Sequence, residues 1–268
     1  MEINTISILG GVGKTGEPEN VERFDLMMGN IISIVGPTGC GKTTLINDIE
    51  LFANRNTPSD RLVLINGEAV PDDLTFDPRS HPIALISQHT NFLSDLPVRE
   101  FLKIHATVRG AQDPVGIIEE TLEFANQLTG EAIIPSTGMT ELSGGQTRSL
   151  LIADAVIIGN SPIILLDEIE NAGINRTKAL ELLKQYKKIF VFVTHDPRIA
   201  LLSDFRIVMR NGAMERLIAT NPEERLVAGH LGKIDNIMLH FRSCIRAGEE
   251  VSGSMIKEQL LTLNTSNL

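Results

Sequence analysis

The sequence predicts an α/β fold with an inserted helical stretch and a helical C-terminal tail, and three observations carry that prediction. Apolar runs of strand length recur along the chain, helical patterns alternate with them, and the stretch between Ser87 and Ile163 is mainly helical in signal. Chain size agrees, because 268 residues with 42% hydrophobic composition can bury a core as one large domain or as one domain with an appendage.

The strand-like runs are Ile31–Val35, Leu62–Ile65, Ile83–Ile86, Ile163–Leu166 and Ile189–Val193. Most are apolar throughout, as expected of strands buried on both faces. Helical spacing is read over Lys42–Phe52, Val98–Val108, Val115–Leu128, Gly145–Ile158 and Arg176–Lys187. Such alternation implies a sheet wrapped by helices. From Asn221 the run TNPEER opens a further helix, along which Val227, Leu231, Ile234, Met238, Phe241 and Ile245 recur at heptad-like spacing. That stripe either packs on the rest of the chain or forms a seam for a second subunit or a regulator. Gly229 and Gly232 each weaken the helix by about 1 kcal/mol, which points to a break or a close approach there, and the final LLTLNTSNL is expected to fray.

A formal net charge of −10 argues against a sequence-independent grip on nucleic acid, which needs a basic surface. Cys40 and Cys244 are too few for a disulfide framework or a zinc site, so a reducing cytoplasmic compartment is expected. The start, MEINTISILGG, lacks the positive charge and long apolar core of a signal peptide. Apolar stretches such as SLLIADAVIIG are broken by charge or glycine well short of the roughly 20 residues of a bilayer span. If membranes matter, another chain supplies the channel.

The strand IISIV runs into Gly36-Pro37-Thr38-Gly39-Cys40-Gly41-Lys42-Thr43, which fits G-x-x-x-x-G-K-[ST], and then, from Thr44, into a helix. Strand, loop and helix are the context this phosphate-binding motif needs. Its glycines let backbone N–H groups converge on phosphate oxygens, and the helix start adds its positive dipole end. Lys42 is expected to reach the β and γ phosphates and the Thr43 hydroxyl to ligate Mg²⁺. Gly36 to Thr44 are therefore the expected nucleotide contacts. A second candidate, Gly10-Gly11-Val12-Gly13-Lys14-Thr15, is read as a turn instead, because the residues before it alternate polar and apolar, no second apolar strand anchors it and Pro18 follows before a helix could form. Cys40 in the real loop is expected to pack as a small residue.

The run Ile163–Leu166 ends in Asp167 and Glu168, which delivers two carboxylates to the C-terminal edge of the sheet. Asp167 is expected to orient Mg²⁺ through water, and Glu168 to act as general base on the attacking water.

Leu142-Ser143-Gly144-Gly145-Gln146 then reads as a signature sequence, so the chain resembles the ATP-binding cassette (ABC) ATPases over about residues 1–218. Gln88 in ISQHTNFLSDLPVREFL resembles the family's Q-loop, and His195 in FVTHDP its switch histidine, placed at the end of the last buried strand. The resemblance implies a P-loop NTPase with a mostly parallel core sheet, an N-terminal antiparallel β part and an inserted helical subdomain at about 90–159, all within an ATPase domain 1–220. Residues 221–268 are expected to form a C-terminal helical extension. It further implies that Ser143 to Gln146 close over the nucleotide of a partner subunit, that His195 contacts the γ-phosphate and holds Glu168 and water in line, and that Gln88 reaches Mg²⁺.

Two departures stand out. The stretch ILGGVGKTGE carries no aromatic residue to stack on adenine, Phe24 being read as core, and the run Ile169–Asn175 lacks the proline and the closing aspartate many relatives have after the glutamate. The expected function is an ATP-hydrolysing cassette, homodimeric or paired, that energises an integral-membrane permease in another chain. It would be cytoplasmic or peripheral at the inner membrane face. The competing reading is a soluble ABC ATPase that drives protein or metallocluster assembly. A catalytically dead scaffold is disfavoured, since Lys42, Asp167, Glu168 and His195 are all present.

Overall fold

The computed structural model describes residues 2–71, 74, 81–87, 90, 92–168 and 176–265. Two compact units divide the chain, Met1–Ala219 and Thr220–Leu268.

The first unit opens with β1 (Thr5–Leu9), β2 (Arg23–Met27), β3 (Ile31–Val35), α1 (Lys42–Glu50), β4 (Leu62–Ile65), β5 (Glu68–Ala69) and β6 (Ile83–Ile86). Three helices follow, α2 (Val98–Val108), α3 (Pro114–Leu128) and α4 (Gly144–Val156). The sheet then resumes with β7 (Ile163–Asp167), α5 (Arg176–Leu183), β8 (Ile189–Val193), α6 (Pro197–Leu202), β9 (Phe205–Arg210) and β10 (Ala213–Ala219).

The larger sheet has the order β10-β9-β3-β8-β7-β6, parallel except for the β10–β9 hairpin. Side chains on a strand alternate between faces, and here both faces find a core. Ile164 and Leu166 of β7 and Phe190 and Phe192 of β8 join α2, α3, α4 and α5 on one side. Ile163, Leu165, Ile189, Val191 and Val193 pack on the other side against Leu45, Ile46 and Ile49 of α1 and against Ile6 and Ile8 of β1. The apolar runs are thus buried on both faces.

Leu62–Ile65 departs from that rule. It lies in a second, antiparallel sheet of order β2-β1-β4-β5, where Val63 and Ile65 are buried and Leu62 and Leu64 only partly so. An unbroken apolar tetrapeptide does not reveal which sheet it joins. β8 is the last strand buried along its whole length, and β9, only partly buried, follows it and inserts beside β3. Phe24 is buried in β2.

Helix ends shift by local chemistry. α1 stops at Glu50 because Phe52 turns into the left-handed region at φ 50°. Its ring is buried and lies 5.4 Å from that of His81. α3 starts where the Asp113 side chain accepts the Gly116 N–H and Pro114 takes the first turn. α5 ends at Leu183, short of Lys187.

The second unit holds α7 (Pro222–Arg246) and α8 (Gly253–Thr265). Asn221 caps α7, with its side chain accepting the Glu224 N–H and Glu224 accepting the Asn221 N–H. Of the break or close approach expected at Gly229 and Gly232, the break does not occur, for α7 is continuous through both. The expected fraying of the last residues does not show over 260–265, which are helical in α8, and 266–268 lie outside the described residues. Along the stripe Val227, Ile234, Met238 and Ile245 are exposed, while the neighbouring Ala228 and Cys244 are buried. Among the described residues no helix is long and apolar enough to cross a membrane.

Candidate functional site

The loop after β3 is shaped by glycine. Gly36 adopts φ 150°, and a Cβ there would stand 2.5 Å from the Met209 carbonyl oxygen and 2.7 Å from Cys40 Sγ. Gly41 has φ 102°, and its Cβ would meet Gly212 Cα at 2.9 Å. No larger residue fits either position without moving backbone. The result is a tight cradle at the head of α1, whose N-cap Gly41 offers no side-chain acceptor. An α-helix leaves its first-turn N–H groups without intrahelical partners, which suits them to an anion. Lys42 is 6% exposed, and its ammonium bends over the loop to donate to the Gly36 carbonyl at 3.1 Å and the Pro37 carbonyl at 3.2 Å. Pro37, Thr38, Gly39, Thr43 and Thr44 are exposed along the same edge. Cys40 is buried, with its sulfur tucked under Gly36.

The carboxylates arrive from β7. Asp167 closes the strand opposite Val193 of β8, and Glu168 leaves it at φ 50° while its N–H donates to the Val193 carbonyl at 3.0 Å. That sharp exit turns the Glu168 side chain toward the end of β8, where His195 Nε2 lies 3.5 Å from Glu168 Oε1. Both groups are partly exposed and so reachable by a substrate. Thr194 ties this corner to the phosphate loop, because its N–H donates to the Ile34 carbonyl one residue before β3 ends. A cavity of about 330 Å³ opens there between Val35, Gly36, Thr194, His195, Asp196 and Arg206.

Parallel pairing therefore brings Lys42, Asp167, Glu168 and His195 to one sheet edge. β6 ends at the same edge, with Ile86 opposite Leu166. Gln88, which follows it, lies outside the described residues, as does the run 169–175.

Ser143 to Gln146 stand elsewhere, at the start of α4, which packs on α3. Ser143 caps the helix by accepting the Gln146 N–H at 3.3 Å, and Gln146 accepts the Ser143 N–H at 2.9 Å. Gln146 Nε2 also donates to the Ala132 carbonyl. Ser143 and Gly144 are exposed. The hydrogen bonds of this motif run inward to its own subdomain rather than to the phosphate loop.

The loop Gly10–Thr15 has a part that the sequence did not signal. A strand, β1, does precede it, yet no helix follows, and its backbone turns back through Gly13 N–H to Glu17 C=O and Gly16 N–H to Gly13 C=O. Lys14 Nζ donates to the Gly39 carbonyl at 2.8 Å, and the Lys14 N–H donates to the Asn211 carbonyl. This turn braces the phosphate loop from outside. The only hint in the sequence is a lysine in a glycine-rich turn, which fixes no partner.

Comparison with known proteins agrees with this geometry. The sequence model of the ABC transporter family matches residues 20–171. An uncharacterized ABC transporter ATP-binding protein of Methanocaldococcus jannaschii is 48% identical over 252 residues, covering 94% of this chain and 96% of that protein. The match is longer than the first unit, so part of the helical tail is shared. A spermidine/putrescine import ATP-binding protein of Bacteroides fragilis is 29% identical over 258 residues, covering 89% of this chain but 54% of that protein, so the chain spans about half of that relative. Among solved structures, a dimeric ATP-binding cassette in a post-hydrolysis state with ADP and Pi has 26% identity and a TM-score of 0.60, covering 81% of this chain and 99% of that one. With the family's fold, phosphate loop and paired acids in place, the chain belongs to the ABC transporter family and is an ATP-binding cassette ATPase.

Proposed function

We propose that two copies of this chain, or one copy and a paired cassette, clamp MgATP between them and hydrolyse it to energise a membrane transporter whose spanning part lies on another chain. The observation that carries this reading is the meeting of Glu168 and His195 at 3.5 Å beside the glycine cradle. A water placed there would lose its proton to Glu168 as its oxygen attacks the γ-phosphorus and the bridge to the β-phosphate breaks, leaving ADP and phosphate. His195 would hold the γ-phosphate and the Glu168 carboxylate in line. Lys42 and the backbone from Gly36 to Thr44 would bind the phosphates.

The donor set suits Mg²⁺, which takes one or two protein oxygens plus phosphates rather than an all-protein cage. Thr43, Asp167 through water, and Gln88 would hold the ion, which supplies charge neutralisation of the leaving phosphates. Ser143, Gly144, Gly145 and Gln146 would close on the γ-phosphate bound by the second copy. Division of the chain near 220, with a helical subdomain at about 90–159, belongs to the same reading.

The direct experiment pairs two variants. Glu168→Gln should retain ATP and accumulate as a dimer, whereas Lys42→Ala should lose ATP binding. Parental hydrolysis by Glu168→Gln would remove Glu168 as the base. Recovery of an integral-membrane partner from detergent-solubilised membranes supports the transporter coupling, and an exclusively soluble partner overturns it.

A further inference from the structure

Arg61 is among the largest fully buried side chains of the described residues, and nothing in the hydrolytic site described above uses it. Its guanidinium is shared between two carboxylates. Nε and Nη2 donate to Glu19 at 3.1 and 2.7 Å, and Nη1 donates to Asp48 Oδ2 at 2.7 Å. Nη2 also donates to the Gly212 carbonyl at 2.8 Å. Each carboxylate in turn reaches a further element. Glu19 accepts the N–H groups of Gly11 and Met214, and Asp48 accepts the Ser59 hydroxyl. Burial alone disfavours the charge on Arg61, but its bonds to Glu19 and Asp48 outweigh that, so the guanidinium is held above its ordinary pKa.

The ends of this network converge on the phosphate loop. Asp48 lies on α1, the helix that Lys42 opens. Gly212 sits at the β9–β10 turn, where its N–H donates to the Cys40 carbonyl at 2.8 Å and its Cα occupies the space a Gly41 side chain would need. The same turn receives the Lys14 N–H, and Lys14 Nζ reaches Gly39. One guanidinium thus fixes the helix behind the loop and the turn beside it. Apolar packing could hold the two at a similar distance but would not orient the peptides on either side of Gly212: Arg61 takes the Gly212 carbonyl, the Lys14 N–H takes the Asn211 carbonyl, and the Gly212 N–H between them faces the Cys40 carbonyl.

We infer that Arg61, clasped by Glu19 and Asp48, is a positioning residue for nucleotide binding: through Gly212 it holds the Cys40–Gly41 segment of the phosphate loop in its binding shape. This rests on the loop being the nucleotide site. Lysine at 61 retains the charge but lacks the fork that serves both carboxylates and the carbonyl together. Gly212→Ala disturbs the same turn without touching the buried charges, since the added Cβ would meet the Lys14 backbone nitrogen at 2.9 Å at a φ of 84°.

The test measures the Kd of fluorescent mant-ADP and steady-state ATPase for the full-length wild type, Arg61→Lys, Gly212→Ala, the double variant and the surface control Arg23→Ala. Folding is verified by circular dichroism at the assay temperature. Each of the two single variants should weaken nucleotide binding and raise KM about tenfold, with kcat at saturating ATP within about threefold of wild type, as expected of a displaced binding loop. General destabilisation would instead lower the active fraction and leave KM unmoved. The double variant should be no weaker than the worse single variant, because both act through one turn. Wild-type affinity in folded Arg61→Lys, or multiplied losses in the double, overturns the inference. Should Arg61→Lys not fold, Gly212→Ala and Glu19→Gln decide it, and wild-type affinity in both overturns it. Failure of the wild type itself to take up mant-ADP would sink the nucleotide reading, whereas normal uptake by wild type and variants alike sinks only the role of Arg61.

Discussion

Glu168 Oε1 and His195 Nε2 stand 3.5 Å apart although they come from different strands. Their approach is built by the parallel register that sets Asp167 against Val193 and by the left-handed turn at Glu168, whose N–H is held by the Val193 carbonyl.

Removing either partner should separate binding from chemistry. His195→Ala is expected to lower kcat by about a hundredfold, and Glu168→Gln by at least as much, with ATP affinity within a few-fold of wild type. Single-turnover hydrolysis alongside equilibrium ATP binding checks this. A proportional loss of both quantities would show that the pair supports the fold rather than the reaction.

The placement of Ser143 on α4, with its hydrogen bonds directed inward, predicts complementation. Ser143→Arg and Lys42→Ala should each be inactive alone. Mixed in equal amounts, they should form dimers in which one composite site would keep an intact phosphate loop from one copy and an intact Ser143 from the other. Random pairing gives roughly a quarter of wild-type ATPase activity. A mixture as inactive as its components would argue that Ser143 does not act across the interface.

Cys40 should be dispensable for chemistry. Its sulfur is buried beneath Gly36, so Cys40→Ala is expected to keep ATPase KM within about threefold and to cost on the order of 1 kcal/mol of stability. Both thiols are buried, and Ellman's reagent should label them slowly until denaturant is added. Rapid native labelling with loss of activity would instead identify Cys40 as a redox-sensitive position.

Lys188 gives a pH signature. Its Nζ is buried against Asn160 Oδ1 and the Ser161 carbonyl, and desolvation lowers its pKa to about 8. Between that value and the ordinary lysine pKa of roughly 10.4 the unfolded chain binds the extra proton, so stability rises with pH. The penalty is fully present below pH 8 and is relieved above it, by an amount on the order of 3 kcal/mol across the window. Lys188→Met removes this titration. The difference in unfolding free energy between wild type and variant, measured by urea denaturation at pH 7 and pH 10, should therefore shift in favour of wild type at the higher pH. A pH-independent difference would refute it.

The site was more legible in the sequence than its surroundings. Gly36 to Thr43, Asp167 and Glu168 each sit at the end of an apolar run, and strand-then-loop placement is a local property that a pattern can carry. What supports them is not local. Arg61 precedes an apolar run and reads as an ordinary flanking charge, yet its partners are 42 and 13 residues away. β9 and β10 were missed because FRIVMR and AMERLIA interleave charge with apolar residues, the pattern of a partly solvated hairpin. Only the parallel pairing of β9 with β3 gives them a place. The run Leu62–Ile65 is legible as a strand, but an apolar run alone does not show that it pairs in the antiparallel sheet with Leu62 and Leu64 only partly buried.

The mutual cap between Ser143 and Gln146 has a kinetic meaning for whatever docks at α4. Because each side chain already occupies the backbone donor of the other within a single subunit, a second molecule arriving there would freeze few additional torsions. If a second copy docks at that edge as proposed, its association would be governed by collision and orientation rather than by slow rearrangement, and the lifetime of the pair would be left to the chemistry of what it encloses.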